Sequence, residues 1–209
     1  MTLMAPLQPD EGSEDANVTR IRQRVIELSL NGEFQVVTEY LEHPDPDVRA
    51  TALRVLDNEG KLEKGIVERS LSDSAFKVRS ALAYLLSTNR DIPAMKFLLD
   101  EDAEIVEIAC WGIGERGDAS AEVLDVLQSI TESHSDSLCR ESAVAALGAL
   151  GNRDALGSIL KAVEDIATVR RRAVLALAPF DGPEVELAIT KALEDRDWQV
   201  RQAAEDISK

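Results

Sequence analysis

Aromatic residues make up only 4% of the 209-residue chain, too few for the aromatic-rich strands of a β-sandwich or barrel. The abundant Ala and Leu favour closely packed helices instead. Only two histidines, His43 and His134, are present, which argues against a His-based metal centre. The two cysteines, Cys110 and Cys139, both fall inside helical patterns and read as buried apolar residues, not as a disulfide or metal pair. Cations are outnumbered: 23 Lys and Arg against 39 Asp and Glu give a net charge of −16. Such a surface repels phosphate backbones, so no nucleic-acid partner is expected, and it favours a protein partner with a basic surface. No stretch approaches the roughly 18 apolar residues of a membrane span. The start, MTLMAPLQPDEGSEDANVTR, has no basic segment followed by an apolar one, so a cytoplasmic location without membrane contact is expected.

Catalytic signatures are equally scarce. The sequence holds no Gly-rich phosphate loop, no Cys-x-x-Cys pair, no His-Glu-x-x-His helix and no Gly-x-Ser-x-Gly elbow. Carboxylates are so numerous that no pair stands out as an acid/base couple, and they read as a solvated acidic surface. The expectation is therefore a non-enzyme with no catalytic, cofactor-binding or metal site.

What the chain has is a repeat. Segments DVRATALRVL (47–56), KVRSALAYLL (77–86), IVEIACWGIG (105–114), LCRESAVAAL (138–147), TVRRRAVLAL (168–177) and QVRQAAEDIS (199–208) align on Arg49, Arg79, Glu107, Arg140, Arg170 and Arg201. Their spacing is near thirty throughout, the mark of a stacked array, not of a single central core. Each unit splits into two helical segments, so the fold class is all-α: an α-solenoid of about six two-helix repeats behind an N-terminal capping helix. The expected boundaries are an acidic tail over 1–16, a capping helix over 17–32, and a solenoid over 33–209 in units 33–59, 60–89, 90–117, 118–151, 152–181 and 182–209. Asn17 or Thr19 would cap the first helix, whose Ile21, Val25, Leu28 and Leu30 share one face. Asp45-Pro46 predicts a second-helix start, since the carboxylate caps free amides and Pro suits the first helical position.

The run Ala145-Ala146-Leu147-Gly148-Ala149-Leu150-Gly151-Asn152-Arg153-Asp154-Ala155-Leu156 resembles HEAT repeats of the short kind named after the phycobilisome lyases. The resemblance covers about residues 33–208. It implies that the second helix of each unit lines a concave face. It also implies that Arg49, Arg79, Arg140, Arg170 and Arg201 form a structural ladder between neighbouring units. Glu107 departs from that pattern; the ladder is either broken there or satisfied in another way.

Helical geometry adds a candidate surface. Positions one before and three, six and seven after each anchor form a core stripe, whereas positions one, five and eight after it point away. The outward set supplies Arg54, Tyr84, Ile108, Gly112, Glu115, Glu141, Ala145, Arg171 and Leu175, with Trp111 at its edge. An apolar strip with aromatics, bordered by charge, suits a partner-binding concave face; burial by curvature or by neighbouring helices is the alternative. Mid-helix Gly112 implies close approach of another group or a kink near Glu107. The leading expectation is a protein-binding scaffold or an inhibitor or immunity-type module gripping a basic protein. The alternative, implied by the family resemblance, is a bilin lyase-like chromophore-attachment protein or lyase subunit.

Overall fold

The computed structural model describes residues 11–117 and 119–208. Among these, all regular structure is helical. After α1 (Glu11–Leu30) the helices come in pairs: α2 (Phe34–Glu39) and α3 (Pro46–Asn58), α4 (Lys64–Ser70) and α5 (Phe76–Tyr84), α6 (Ala94–Leu98) and α7 (Ala103–Arg116). They continue with α8 (Ala121–Ser133) and α9 (Ser137–Leu150), α10 (Leu156–Ala162) and α11 (Ala167–Ala176), and α12 (Pro183–Leu193) and α13 (Trp198–Ile207). Short 3-10 turns at Tyr40–Glu42, Leu85–Ser87 and Arg153–Ala155 adjoin α2, α5 and α10. The chain divides after Leu82, near the end of α5, into two compact units.

In the first unit α1 lies against α3 and buries Val25 and Leu28 with Val37, Val48, Leu53, Leu56, Ile66 and Val78. Each such side chain contributes about 1.5–3 kcal/mol by leaving water. Arg22 fastens α1 to α3 by donating from Nε to Thr51 Oγ1 at 3.0 Å. Two expectations need correction. The helix begins at Glu11, so residues 11–16 of the expected tail are helical, while residues 1–10 lie outside the described residues. Leu30 is 78% exposed, because the helix ends there and the next turn carries it past the edge of the core. At α3 the expected start is present: Asp45 accepts from the Asp47 and Val48 amides at 2.8 and 3.3 Å, with Pro46 next.

In the second unit the second helices α7, α9, α11 and α13 pack side by side in chain order. Small residues set how closely they approach. A Cβ on Gly114 would stand 3.2 Å from Ala146 Cα, and one on Gly148 only 2.6 Å from Ala176 Cα. Ile105, Ala109, Ile113, Ala143, Leu147, Val169, Ala173 and Leu177 fill the seam behind them. Gly117 and Gly151 end α7 and α9 with φ of 71° and 59°, a left-handed conformation costly for any residue with a Cβ.

The anchoring arginines act on the turns. Arg49 grips Asp73 through Nε and Nη2, both at 2.8 Å, and donates from Nη1 to the His43 and Pro44 carbonyls. Arg140 does the same with Asp165 and the His134 and Ser135 carbonyls, and Arg170 with Asp195 and the Asp165 carbonyl. Arg79 bonds the Asp73 and Ser74 carbonyls, and Arg201 the Asp195 carbonyl. Each rung thus ties a second helix to its own turn, and Arg49, Arg140 and Arg170 also reach the next turn with charge-assisted, two-point geometry. The aspartate does a second job, since Asp73 and Asp195 also accept the amide two residues on, at 2.8 Å.

At Glu107 the ladder is interrupted, and the next turn compensates. Where Asp73, Asp165 and Asp195 receive the Arg49, Arg140 and Arg170 rungs, this turn carries His134, whose Nδ1 accepts the Asp136 amide at 3.1 Å. His43, which follows α2 and its 3-10 turn, accepts the Asp45 amide in the same way at 3.1 Å. At this position histidine closes the turn without adding a further carboxylate to that of Asp136 beside Glu107.

Candidate functional site

Between α7 and α9 lies a groove of about 300 Å³ lined by Glu107, Trp111, Gly114, Glu115, Leu138, Glu141, Ser142, Ala145, Ala146, Ala149 and Arg172. Glu107, Trp111 and Glu115 follow one another at four-residue steps, so they share one stripe of α7 with the indole between two carboxylates. Glu141 and Ala145 form the matching stripe on α9. Trp111 occupies the position where Leu53, Val144 and Val174 are fully buried in their own units. The close approach of Gly114 to Ala146 leaves no room between the helices for an indole. Trp111 therefore turns outward, 45% exposed, and meets Tyr84 edge-on with ring centroids 5.8 Å apart. Tyr84 is itself 47% exposed.

The electrostatics are uneven. Glu107 makes no ion pair among the described residues. Burial, then the nearby carboxylates of Asp136, Glu104 and Glu141, push its acid above the ordinary range. The groove's own cation, Arg172, reaches Glu141 through Nη2 at 3.5 Å, and its buried Nε has no hydrogen-bond partner among the described residues.

The candidate positions separate into three groups. Trp111, Glu115, Glu141 and Ala145 come together in the groove, with Tyr84 against the indole. Arg54 is exposed on α3 in the first unit, and Arg171 is half-buried without an ion pair among the described residues. Ile108 (6% exposed), Gly112 and Leu175 do not form an open strip, and this corrects the expected surface. Ile108 and Gly112 are buried: a Cβ on Gly112 would stand 3.0 Å from Leu86 Cβ and 3.4 Å from the Ser87 amide. Close approach, not a kink, accounts for Gly112, since α7 runs unbroken through it. Leu175 is half-buried against Val174, Ala192, Val200, Ala203 and Ala204.

Sequence reasoning missed Glu107, Gly114, Leu138, Ser142, Ala146 and Arg172 as groove residues. Leu138 had a signal: its position carries Asp47, Lys77, Thr168 or Gln199 in four other units. Arg172 was one residue away from the expected Arg171. Cys110 and Cys139 are free and buried; burial raises both thiols, Cys139 to about 11, and Cys139 Sγ donates to the Ala103 carbonyl at 3.1 Å. Among the described residues no group of His, Cys, Asp and Glu could hold a metal ion, and no helix is long and apolar enough to cross a membrane.

Stacked helical pairs of this kind have counterparts among known proteins. Residues 92–167 match the HEAT repeats family model. That span holds the two helices that form the groove. No curated protein sequence matches the chain. Among solved structures, a designed armadillo repeat protein in complex with the peptide (KR)4 is similar, with a TM-score of 0.63 at 19% identity over 84% of this chain and 98% of that one. The Escherichia coli protein YibA is similar over 96% of this chain and 75% of its own, with a TM-score of 0.62 at 16% identity. At such identity the likeness concerns the fold: an all-α repeat solenoid of the HEAT and armadillo type, a fold typical of protein-binding scaffolds.

Proposed function

We propose that the chain is a non-enzymatic protein-binding module that holds a basic segment of a partner protein in the groove between α7 and α9. One observation carries this reading. The groove joins an exposed indole and apolar walls to three carboxylates, Glu107, Glu115 and Glu141, against a single internal cation. Apolar contact supplies affinity, and unbalanced negative charge selects a basic partner and speeds its arrival. The net charge of −16 extends the same bias over the whole surface. The similar designed armadillo protein was solved with a (KR)4 peptide, which fits a role of this kind. The repeat spacing near thirty supports the short, phycobilisome-lyase-type variety of HEAT unit. Buried free thiols support a reducing, cytoplasmic location. Within this class the module serves as an acidic scaffold or as an inhibitor of the immunity type.

The test is calorimetric titration of the full chain with (KR)4 and with an acidic octapeptide of alternating Glu and Asp, at low and physiological salt. Saturable binding of the basic peptide alone, weakening with salt, is expected. Failure to bind (KR)4 at low salt, or equal binding of the acidic peptide, overturns the reading.

A further inference from the structure

We infer that the groove is built to take an arginine side chain, with its guanidinium lying on the Trp111 indole and bonded by the carboxylates of Glu107 and Glu141. This rests on the reading of the groove as a site for basic protein segments, and it names the residue type that such a segment must present.

Three features of the groove favour guanidinium over ammonium. The first is the indole itself. Trp111 packs with Tyr84 in a T-shaped pair and is still 45% exposed. A planar cation stacks on an indole with dispersion as well as charge, whereas a compact, strongly hydrated ammonium gains less. The second is the distribution of acceptors. Glu107 is one turn from the indole on α7, and Glu141 stands on α9 across the groove. A side chain entering between the helices meets acceptors on both sides, and a fork of five N–H donors serves two carboxylates where a point charge serves one well.

The third is an unmet need for charge. In the aligned position of the other units the chain carries an arginine; here it carries an acid, partly buried among further acids and without an ion pair among the described residues. Arg172 does not supply the missing cation. It reaches Glu141 by a single 3.5 Å contact, a weak tether that an incoming two-point guanidinium can displace. The side chains that complete the pocket, Leu138 and Ala145, offer apolar surface for the aliphatic stem of the same arginine.

The experiment compares fluorescein-labelled (KR)4 with octalysine, which has the same charge, by anisotropy on the full chain. Wild type is expected to bind (KR)4 about tenfold more tightly, the scale of one stacked and paired guanidinium. Trp111→Ala and Glu107→Gln should each weaken (KR)4 binding more than octalysine binding, and so remove most of that preference. Glu107→Gln guards against misfolding, because it removes an unfavourable, partly buried charge and should leave the fold intact. Equal affinity of wild type for the two peptides, or a preference that survives both substitutions, overturns the arginine pocket but leaves the basic-segment reading standing. Absence of binding to either peptide overturns both.

Discussion

Truncating Arg170 to Ala tests what holds the repeats in register. Arg170 is 6% exposed, and its guanidinium makes three bonds: Nε and Nη2 to Asp195 at 2.9 and 2.8 Å, and Nη1 to the Asp165 carbonyl at 2.8 Å. Removing one partner of a buried pair costs about 3–5 kcal/mol, because the remaining charge is left without compensation. Asp195 keeps 16% side-chain exposure and its bond from the Asp197 amide, so water and backbone recover part of that loss. The expected cost is therefore about 2–4 kcal/mol, a fall in melting temperature of roughly 5–15 °C for a chain of this length. Arg201 provides the internal control. It makes the same carbonyl bond, to Asp195 at 2.7 Å, without an ion pair among the described residues. Arg201→Ala should therefore cost only about 0.5–1.5 kcal/mol. Urea unfolding monitored by circular dichroism measures both. Equal losses for the two variants, or an Arg170→Ala loss below about 0.5 kcal/mol, would refute the ladder as a source of stability.

Gly148→Ala should destabilise by about 1–3 kcal/mol despite its better helix propensity, since the new methyl meets Ala176 backbone and side chain at 2.6 Å. Gly65→Ala, whose methyl meets only the Arg69 guanidinium tip at 4.0 Å, should instead stabilise by up to about 1 kcal/mol; the same melts check both, and a matching sign would contradict the packing argument. Glu107 is held above its ordinary range in the folded chain, so its ionisation opposes folding increasingly as pH rises from about 4 through the folded value. Glu107→Gln should gain stability at pH 7 and lose that advantage near pH 4; an advantage independent of pH would count against the charge explanation. Asp165 behaves oppositely: the bonds from Arg140 hold it low, so its contribution is present above about pH 4 and fades as acid is added. Arg140→Met should flatten that acid limb in a pH series of melts. Glu107→Arg with His134→Asp should restore the missing rung, with a favourable coupling of about 1–3 kcal/mol in a double-mutant cycle.

Periodicity was enough to read the architecture. A spacing near thirty, a Val-Arg anchor and Ala- or Leu-rich turns imply helix pairs, and Asp45-Pro46 marks the start of α3 down to its capping bonds. The ladder arginines were named from the family resemblance, not from the residues alone, and their aspartate partners are visible only in the structure. The outward face was not legible. Its positions were projected from an isolated helix, but α7 is packed on both flanks: residues 83–87 press on Gly112 from one side and α9 approaches Gly114 on the other. Tight helix spacing therefore buried Ile108 and Gly112 and pushed Trp111 out. The exchange of Asp for His134 after Glu107 was visible in the letters, yet it acquires meaning only once the turn hydrogen bond is seen.

The most direct test follows the two tryptophan indole N–H signals in a proton–nitrogen spectrum while (KR)4 is added to the full chain, with Trp198→Phe to assign them. Trp198, 65% exposed on α13 and outside the groove, serves as the reference. Saturable movement of the Trp111 signal with Trp198 unmoved is the result this account predicts. Binding that shifts Trp198 alone, or leaves Trp111 unmoved, would contradict it.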